Sequence, residues 1–263
     1  MWNILLEYLF TPCPRYLRKM GYLAEVGGIR RRFQRVGHEW QHHIERCHDV
    51  ITEGVGRCQQ FRKAVIFGAG LIHDVPLKML AQKFQQVLLV DVVHPLSSRW
   101  VVRQFPNVRR VNHDVTNSLK GIYRVATRPN QIIPVDQPQW LLDDKELDYT
   151  VSLNLLSQLP CMPMDYLRKW HCHTKAELEE MAKQLIKDHL EYLSALPGCV
   201  SLITDYERTK YNLLNQVVEK RDLFFGLKLP RFGPTWEWRL APCPEADRKH
   251  HYFRQVVGIA DWK

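Results

Sequence analysis

The sequence predicts an α/β chain: a doubly wound, mostly parallel, seven-stranded sheet with an N-terminal helical extension and a C-terminal antiparallel hairpin. Three observations predict it. Short apolar runs alternate with amphipathic stretches from residue 64 to about residue 204. The first such run, AVIF, breaks into a glycine turn, Gly68-Ala69-Gly70. The tail contains two further strand-like runs, TWEWRLA and HYFRQVVG, joined by a polar turn.

Residues 1–57 read as helical. Over 33–51 the apolar positions Phe33, Val36, Trp40, Ile44, Cys47 and Ile51 recur at steps of three and four, which marks one buried stripe. His43 lies beside that stripe and is placed to face inward. AVIF is the first strand, and HDVPLKMLAQKF reads as a helix with Asp74 and Pro76 in its first turn. VLLVD is the second strand, and a helix opens at Pro95 and Ser97 and runs to about Phe105. NVRRV is the third strand, YTVSL the fourth and CVSLIT the fifth, the last ending at Asp205. A long amphipathic helix spans 175–195 and stops at Pro197-Gly198. Residues 120–148, rich in Pro, Asn, Gln and Asp, read as a long connection; IYRVA and QIIPV are candidate short strands within it.

Hydrophobic residues are 45% and charged residues 25% of the 263, which excludes a disordered chain. No apolar stretch is long enough to span a bilayer. MWNILLEYLF lacks a basic lead and a small-residue cleavage site, so it is expected to be a packing helix rather than a signal peptide. The seven cysteines are scattered with no CxxC, which points to reduced thiols and a cytoplasmic setting. Cys172 lies between His171 and His173, and adjacent residues do not easily ligate one metal; no metal is expected. The net charge of +9 and the run Arg30-Arg31-Arg32-Phe33-Gln34-Arg35 keep RNA in play as a partner, although the run also fits a solvated helix face.

Ligands of open parallel sheets bind beyond the C-terminal strand ends. Gly68 and Gly70 sit at the first such end, where glycine permits a tight turn and close backbone approach. Asp91 ends the second strand, 21 residues after Gly70, and its carboxylate suits two ribose hydroxyls. Asp114 follows the third strand and is placed to meet an adenine amino group, or alternatively to cap the next helix. His73 replaces the third glycine of a dinucleotide fingerprint, and Asp74 adds negative charge where a pyrophosphate would lie. Both features disfavour NAD, and no G-K-[ST] phosphate loop is present. S-adenosylmethionine, with a ribose, an adenine and no phosphate, fits better.

On GAGLIHDVPL, VLLVDVVHP, HDVT and SLNLLSQLP, the chain resembles the class I S-adenosylmethionine-dependent methyltransferases over roughly residues 60–258, and more narrowly a bacterial methyltransferase-like group. The resemblance implies a Rossmann-like S-adenosylmethionine-binding domain over 61–263, with 1–60 as a helical extension or cap. It implies cofactor contacts from Gly68, Ala69, Gly70, Asp91, Val92, Asp114, Val115 and Asn154. The acid usual before the glycine loop is replaced by apolar Ile66 or Phe67, and Asp74 is the candidate substitute.

Methyl transfer needs a nucleophile held in line with the S–CH3 bond, and a base for some acceptors. The candidates are Asn154, Tyr206 and Arg208 beyond strands four and five, and His43 as a base on the helix that covers the site. Trp236 and Trp238 alternate along one strand and so face the same side. The expected activity is methyl transfer to a small or medium-sized acceptor, with Arg208 favouring an anionic group. An RNA methyltransferase, or a non-catalytic scaffold that works with a protein partner, are the alternatives.

Overall fold

The computed structural model describes residues 9–263, so the expectation for residues 1–8 lies outside the described residues. The helices are α1 (Arg15–Met20), α2 (Tyr22–Val36), α3 (Gln41–Gly56), α4 (Leu77–Lys83), α5 (Leu96–Val102), α6 (Leu119–Val125), α7 (Cys161–Arg168) and α8 (Lys175–Ala195). The strands are β1 (Lys63–Phe67), β2 (Gln86–Asp91), β3 (Val108–Asn112), β4 (Leu147–Leu153), β5 (Cys199–Asn212), β6 (Val217–Asp222), β7 (Thr235–Ala241) and β8 (His250–Ile259).

They form one sheet in the order β3-β2-β1-β4-β5-β8-β7, with β6 paired to the outer part of β5. The first five strands run parallel, while β8, β7 and β6 are antiparallel to their neighbours. The chain winds outward from β1 to β3 and then crosses back to β4 on the other side of β1. The crevice between the C-terminal ends of β1 and β4 is therefore the switch point where such sheets hold ligands. β1 and β4 are buried on both faces; β1 is an apolar run after Lys63, whereas β4 also buries Thr150 and Ser152 among its apolar residues.

Each face has its own cover. Ile66, Leu89, Val151 and Ile203 pack under α3, whose Cys47, Val50, Ile51 and Val55 form the buried stripe. The opposite face, with Val65, Phe67, Val90 and Leu202, packs against Ile186 and Leu193 of α8. α8 starts at a capping box: the Glu177 N–H donates to Thr174 Oγ1 and the Thr174 N–H to Glu177 Oε2. Among the described residues, no helix is long and apolar enough to cross a membrane.

Four expectations are corrected. The helix after β1 begins at Leu77, not at His73. Val75 precedes a proline, which disfavours helical backbone there, so Asp74 lies in the loop. The expected helix over 33–51 is interrupted by a 3₁₀ turn over Gly37–Trp40. The 120–148 connection opens with α6: Leu119, Ile122 and Val125 are buried at three-residue steps, so IYRVA is helical, and no strand forms at QIIPV. Finally, β5 does not end at Asp205 but continues to Asn212 and turns back into β6, an eighth strand. The turn is held by Asn212 Oδ1, which accepts from the N–H groups of Leu214 and Gln216.

Candidate functional site

A cavity of about 490 Å³ opens at the β1/β4 switch point. Gly68, Ala69, Gly70, Asp74, Asp91, Val92, Asp114, Val115, Asn154, His43 and Arg208 all line it. Of the residues expected to bind cofactor or take part in catalysis, Tyr206 alone is elsewhere.

The glycine loop is shaped by contacts that exclude side chains. Gly68 has φ +78, and a Cβ there would lie 2.4 Å from the Leu153 carbonyl oxygen. Ala69 is buried, and its N–H donates to Val90 O. The Gly70 N–H donates to Asp91 Oδ2 at 2.9 Å, and the Val92 N–H donates to Asp91 Oδ1 at 2.7 Å. These amides favour the ionised carboxylate, but burial outweighs them and pushes Asp91 up to about 6.

Asp74 lies half-buried across the loop from Asp91. Burial pushes it up to about 6 as well, against the opposing pull of the Asn154 amide 2.6 Å away. Asn154 follows β4 with φ +49, and its N–H donates to Ile203 O at 2.8 Å, extending the ladder to β5. Its side-chain nitrogen is also 3.0 Å from His43 Nε2.

His43 is 1% exposed, and burial pushes its imidazole down to about 3, so the ring is neutral at physiological pH. The Trp236 indole N–H donates to His43 Nδ1 at 3.0 Å, and the Trp238 ring stacks on the imidazole with centroids 4.0 Å apart. An indole N–H only donates, so Nδ1 carries the lone pair and Nε2 the proton. Cys47 Sγ lies 3.5 Å from Nε2 and is available to accept it while ionised Asp74 holds the Asn154 amide. When Asp74 is protonated, turning that amide presents its oxygen to both Nε2–H and the carboxyl.

This tautomer bears on two roles. His43, Cys47 and Asp74 place possible ligand atoms within 4.8 Å of one another, but an imidazole with Nδ1 engaged and Nε2 protonated has no lone pair for a metal. Nor can His43 act as the expected general base at neutral pH, because taking a proton on Nδ1 breaks the Trp236 hydrogen bond. It is a wall and positioning residue.

Asp114 does what its alternative assignment requires. Its Oδ1 accepts from the Thr116 N–H at 3.0 Å and the Thr116 hydroxyl at 2.6 Å, and its Oδ2 accepts from the Leu119 N–H at 2.8 Å. The carboxylate thus organises the start of α6 while remaining in the cavity wall, with Val115 buried beside it.

Tyr206 packs edge-on against Phe232, with centroids 5.5 Å apart, and is not part of the cavity wall. The cause is a register irregularity between Asp205 and Glu207, which interrupts the alternation of β5. Arg208 remains in the wall, its guanidinium 3.0 Å from Glu219 Oε1 and over the ring of Tyr252. Sequence reasoning missed Arg221 and Arg254, which share the wall with Arg208, and Asp205, whose carboxylate accepts from the Ser157 hydroxyl. No sequence signal marks the two arginines, because only strand register brings them to Arg208.

No protein-family model matches the chain, and no curated protein sequence matches it. Among solved structures, a 1,6-didemethyltoxoflavin-N1-methyltransferase of Burkholderia thailandensis, bound to 1,6-didemethyltoxoflavin and S-adenosylhomocysteine, aligns at 12% identity and a TM-score of 0.37. That alignment covers 83% of this chain and 78% of the other. The N-methyltransferase NodS of Bradyrhizobium japonicum, in complex with S-adenosylhomocysteine, aligns at 9% identity and a TM-score of 0.34, covering 81% and 85%. A DhpI–S-adenosylhomocysteine complex aligns at 10% identity and a TM-score of 0.38, covering 88% and 93%.

Proposed function

We propose that this protein is an S-adenosylmethionine-dependent methyltransferase acting on a small or medium-sized acceptor. One observation carries the proposal. At the switch point of the sheet, the Asp91 carboxyl is pinned by the amides of Gly70 and Val92, and a second acid, Asp74, stands across the same glycine loop.

That set of groups suits one kind of ligand. Each Asp91 oxygen keeps a lone pair beyond its amide contact, enough for a pair of ribose hydroxyls. Asp74 offers a carboxylate to a cationic amino group. Two acids flanking the loop oppose a pyrophosphate, so a dinucleotide is disfavoured. When bound, S-adenosylmethionine supplies a methyl group on a sulfonium. Gly70, Asp91 and Asp74 would hold it, with Val92 and Val115 as apolar neighbours of the adenine. Asn154 fixes Asp74 in place, and His43, Trp40 and Trp238 form an apolar wall that excludes water from the reacting groups.

The arginine run supports an RNA acceptor less well. Arg35 is engaged with Glu245 at 2.7 Å, and Arg32 turns towards the cavity rather than joining an outer strip.

The test is to incubate the protein with methyl-labelled S-adenosylmethionine and, separately, a small-molecule extract or total RNA. Label is expected in the small-molecule fraction. Label in RNA alone would replace this acceptor class with the nucleic-acid one. No transfer to either, despite cofactor binding, would favour a non-catalytic role with a protein partner.

A further inference from the structure

At the end of the cavity formed by the antiparallel strands, the sheet sets three arginines side by side. Arg221 of β6 pairs directly with Arg208 of β5, and Arg208 pairs directly with Arg254 of β8. Trp238 of β7 pairs with Arg254 and completes the row. Residues directly opposite one another project from the same face, and all four line the same cavity as the glycine loop. The three arginines therefore span only about 10 Å across neighbouring strands.

Such a row weakens a sheet, because like charges placed directly opposite repel. The protein neutralises it only in part. Arg254 Nε lies 3.5 Å from Asp205 Oδ2, and Arg208 pairs with Glu219 at the rim. Asp222 is nearby, but its oxygens accept from the N–H groups of Phe224 and Gly226. Arg168 of the same wall is paired with Asp165. Arg221 has no ion-pair partner among the described residues. Two donors in the row are also buried and unpartnered among the described residues, Arg208 Nε and Trp238 Nε1; Trp238 is 8% exposed.

We infer that this row is an acceptor subsite for a phosphoryl group, so that the molecule methylated at this site carries a phosphate monoester. A phosphate offers three terminal oxygens to donors arriving from several directions, and guanidinium groups pair with such oxygens two bonds at a time. The row supplies three guanidiniums and an indole N–H, more donors than a single carboxylate takes up. The assignment of the phosphoryl group to an acceptor rests on the methyltransferase proposal, because only that proposal makes this end of the cavity the acceptor end.

The test titrates the full-length protein with inorganic phosphate by calorimetry, with succinate as the carboxylate comparator and S-adenosylmethionine in a separate titration. Saturable phosphate binding is expected, weakened about tenfold by Arg221→Gln and about tenfold by Arg254→Gln. Arg221 is exposed at its strand and Arg221→Gln is expected to fold, whereas Arg254→Gln also unpairs Asp205; Arg221→Gln is therefore the deciding variant. S-adenosylmethionine affinity should be the same in Arg221→Gln as in the native protein. No phosphate binding, binding equally strong in Arg221→Gln, or binding of succinate in preference to phosphate would overturn the inference. Phosphate binding that needs Arg221, in a protein that binds no S-adenosylmethionine, would instead sink the methyltransferase proposal and leave the phosphate site standing.

Discussion

The backbone N–H of Gly70 donates to Asp91 Oδ2 across 2.9 Å, joining the loop after β1 to the end of β2. That hydrogen bond sets the geometry of the cofactor cradle before any ligand arrives. It also determines how the site responds to pH. Burial raises both Asp91 and Asp74 to about 6, above the ordinary 3.8.

The folded, ligand-free protein therefore holds these protons more tightly than the unfolded chain. Their contribution to stability is fully present below pH 3.8 and is lost as the pH rises through about 6. A ligand that donates to both carboxylates favours their ionised forms. S-adenosylmethionine affinity is expected to fall about tenfold per pH unit below 6 for each carboxyl that must ionise. Calorimetry at pH 6 in buffers of different ionisation enthalpy should detect proton release. Proton uptake, or pH-independent binding between 5 and 7, would contradict this assignment.

Asn154 ties Asp74 to the His43 wall, so removing its amide should be costly. Asn154→Leu leaves the Asp74 carboxyl without its partner, and the expected loss is about 1–3 kcal/mol at pH 7, read from urea unfolding. The same variant should raise the Asp74 pKa further, because the amide is what opposes burial there. A carboxyl titration by NMR would show the shift, which a packing defect alone would not produce.

A structural prediction concerns the far end of β1 and β4. Asp148 is 9% exposed and accepts from the Arg62 N–H at 2.7 Å and from its guanidinium at 2.6 and 3.1 Å. These contacts hold its carboxyl below the usual range. The stability it contributes is present above about 3.8 and is lost as the pH falls through the depressed value. Asp148→Asn should cost roughly 1–3 kcal/mol at pH 7 and far less near pH 3. An equal cost at both pH values would rule out the ion pair as the cause.

Much of this architecture was legible in the sequence because burial on both faces leaves a strong signal. AVIF and VLLV are continuous apolar runs and YTVSL is rich in β-branched and aromatic residues, and the ends of these strands carry Gly68, Asp91 and Asn154. β6 gave no such signal: all six of its residues are exposed, so neither alternation nor an apolar run marks it. Tyr206 was placed in the site by its position after CVSLIT, but the strand continues and its irregularity turns the ring away. The inward placement of His43 was readable from the helical stripe. Its tautomer was not, because it depends on Trp236, which is 193 residues away. The arginine row depends in the same way on the pairing of β5, β6 and β8 rather than on any local pattern.

The central claim is that Asp91 and the Gly70 loop hold S-adenosylmethionine. Its most direct test is a calorimetric titration of the native protein and of Asp91→Asn, which keeps an oxygen for the Gly70 N–H and removes the charge. Saturable binding is expected in the native protein, weakened at least about tenfold in the variant. A folded native protein that takes up no cofactor, or a variant that binds it as tightly, would contradict the account.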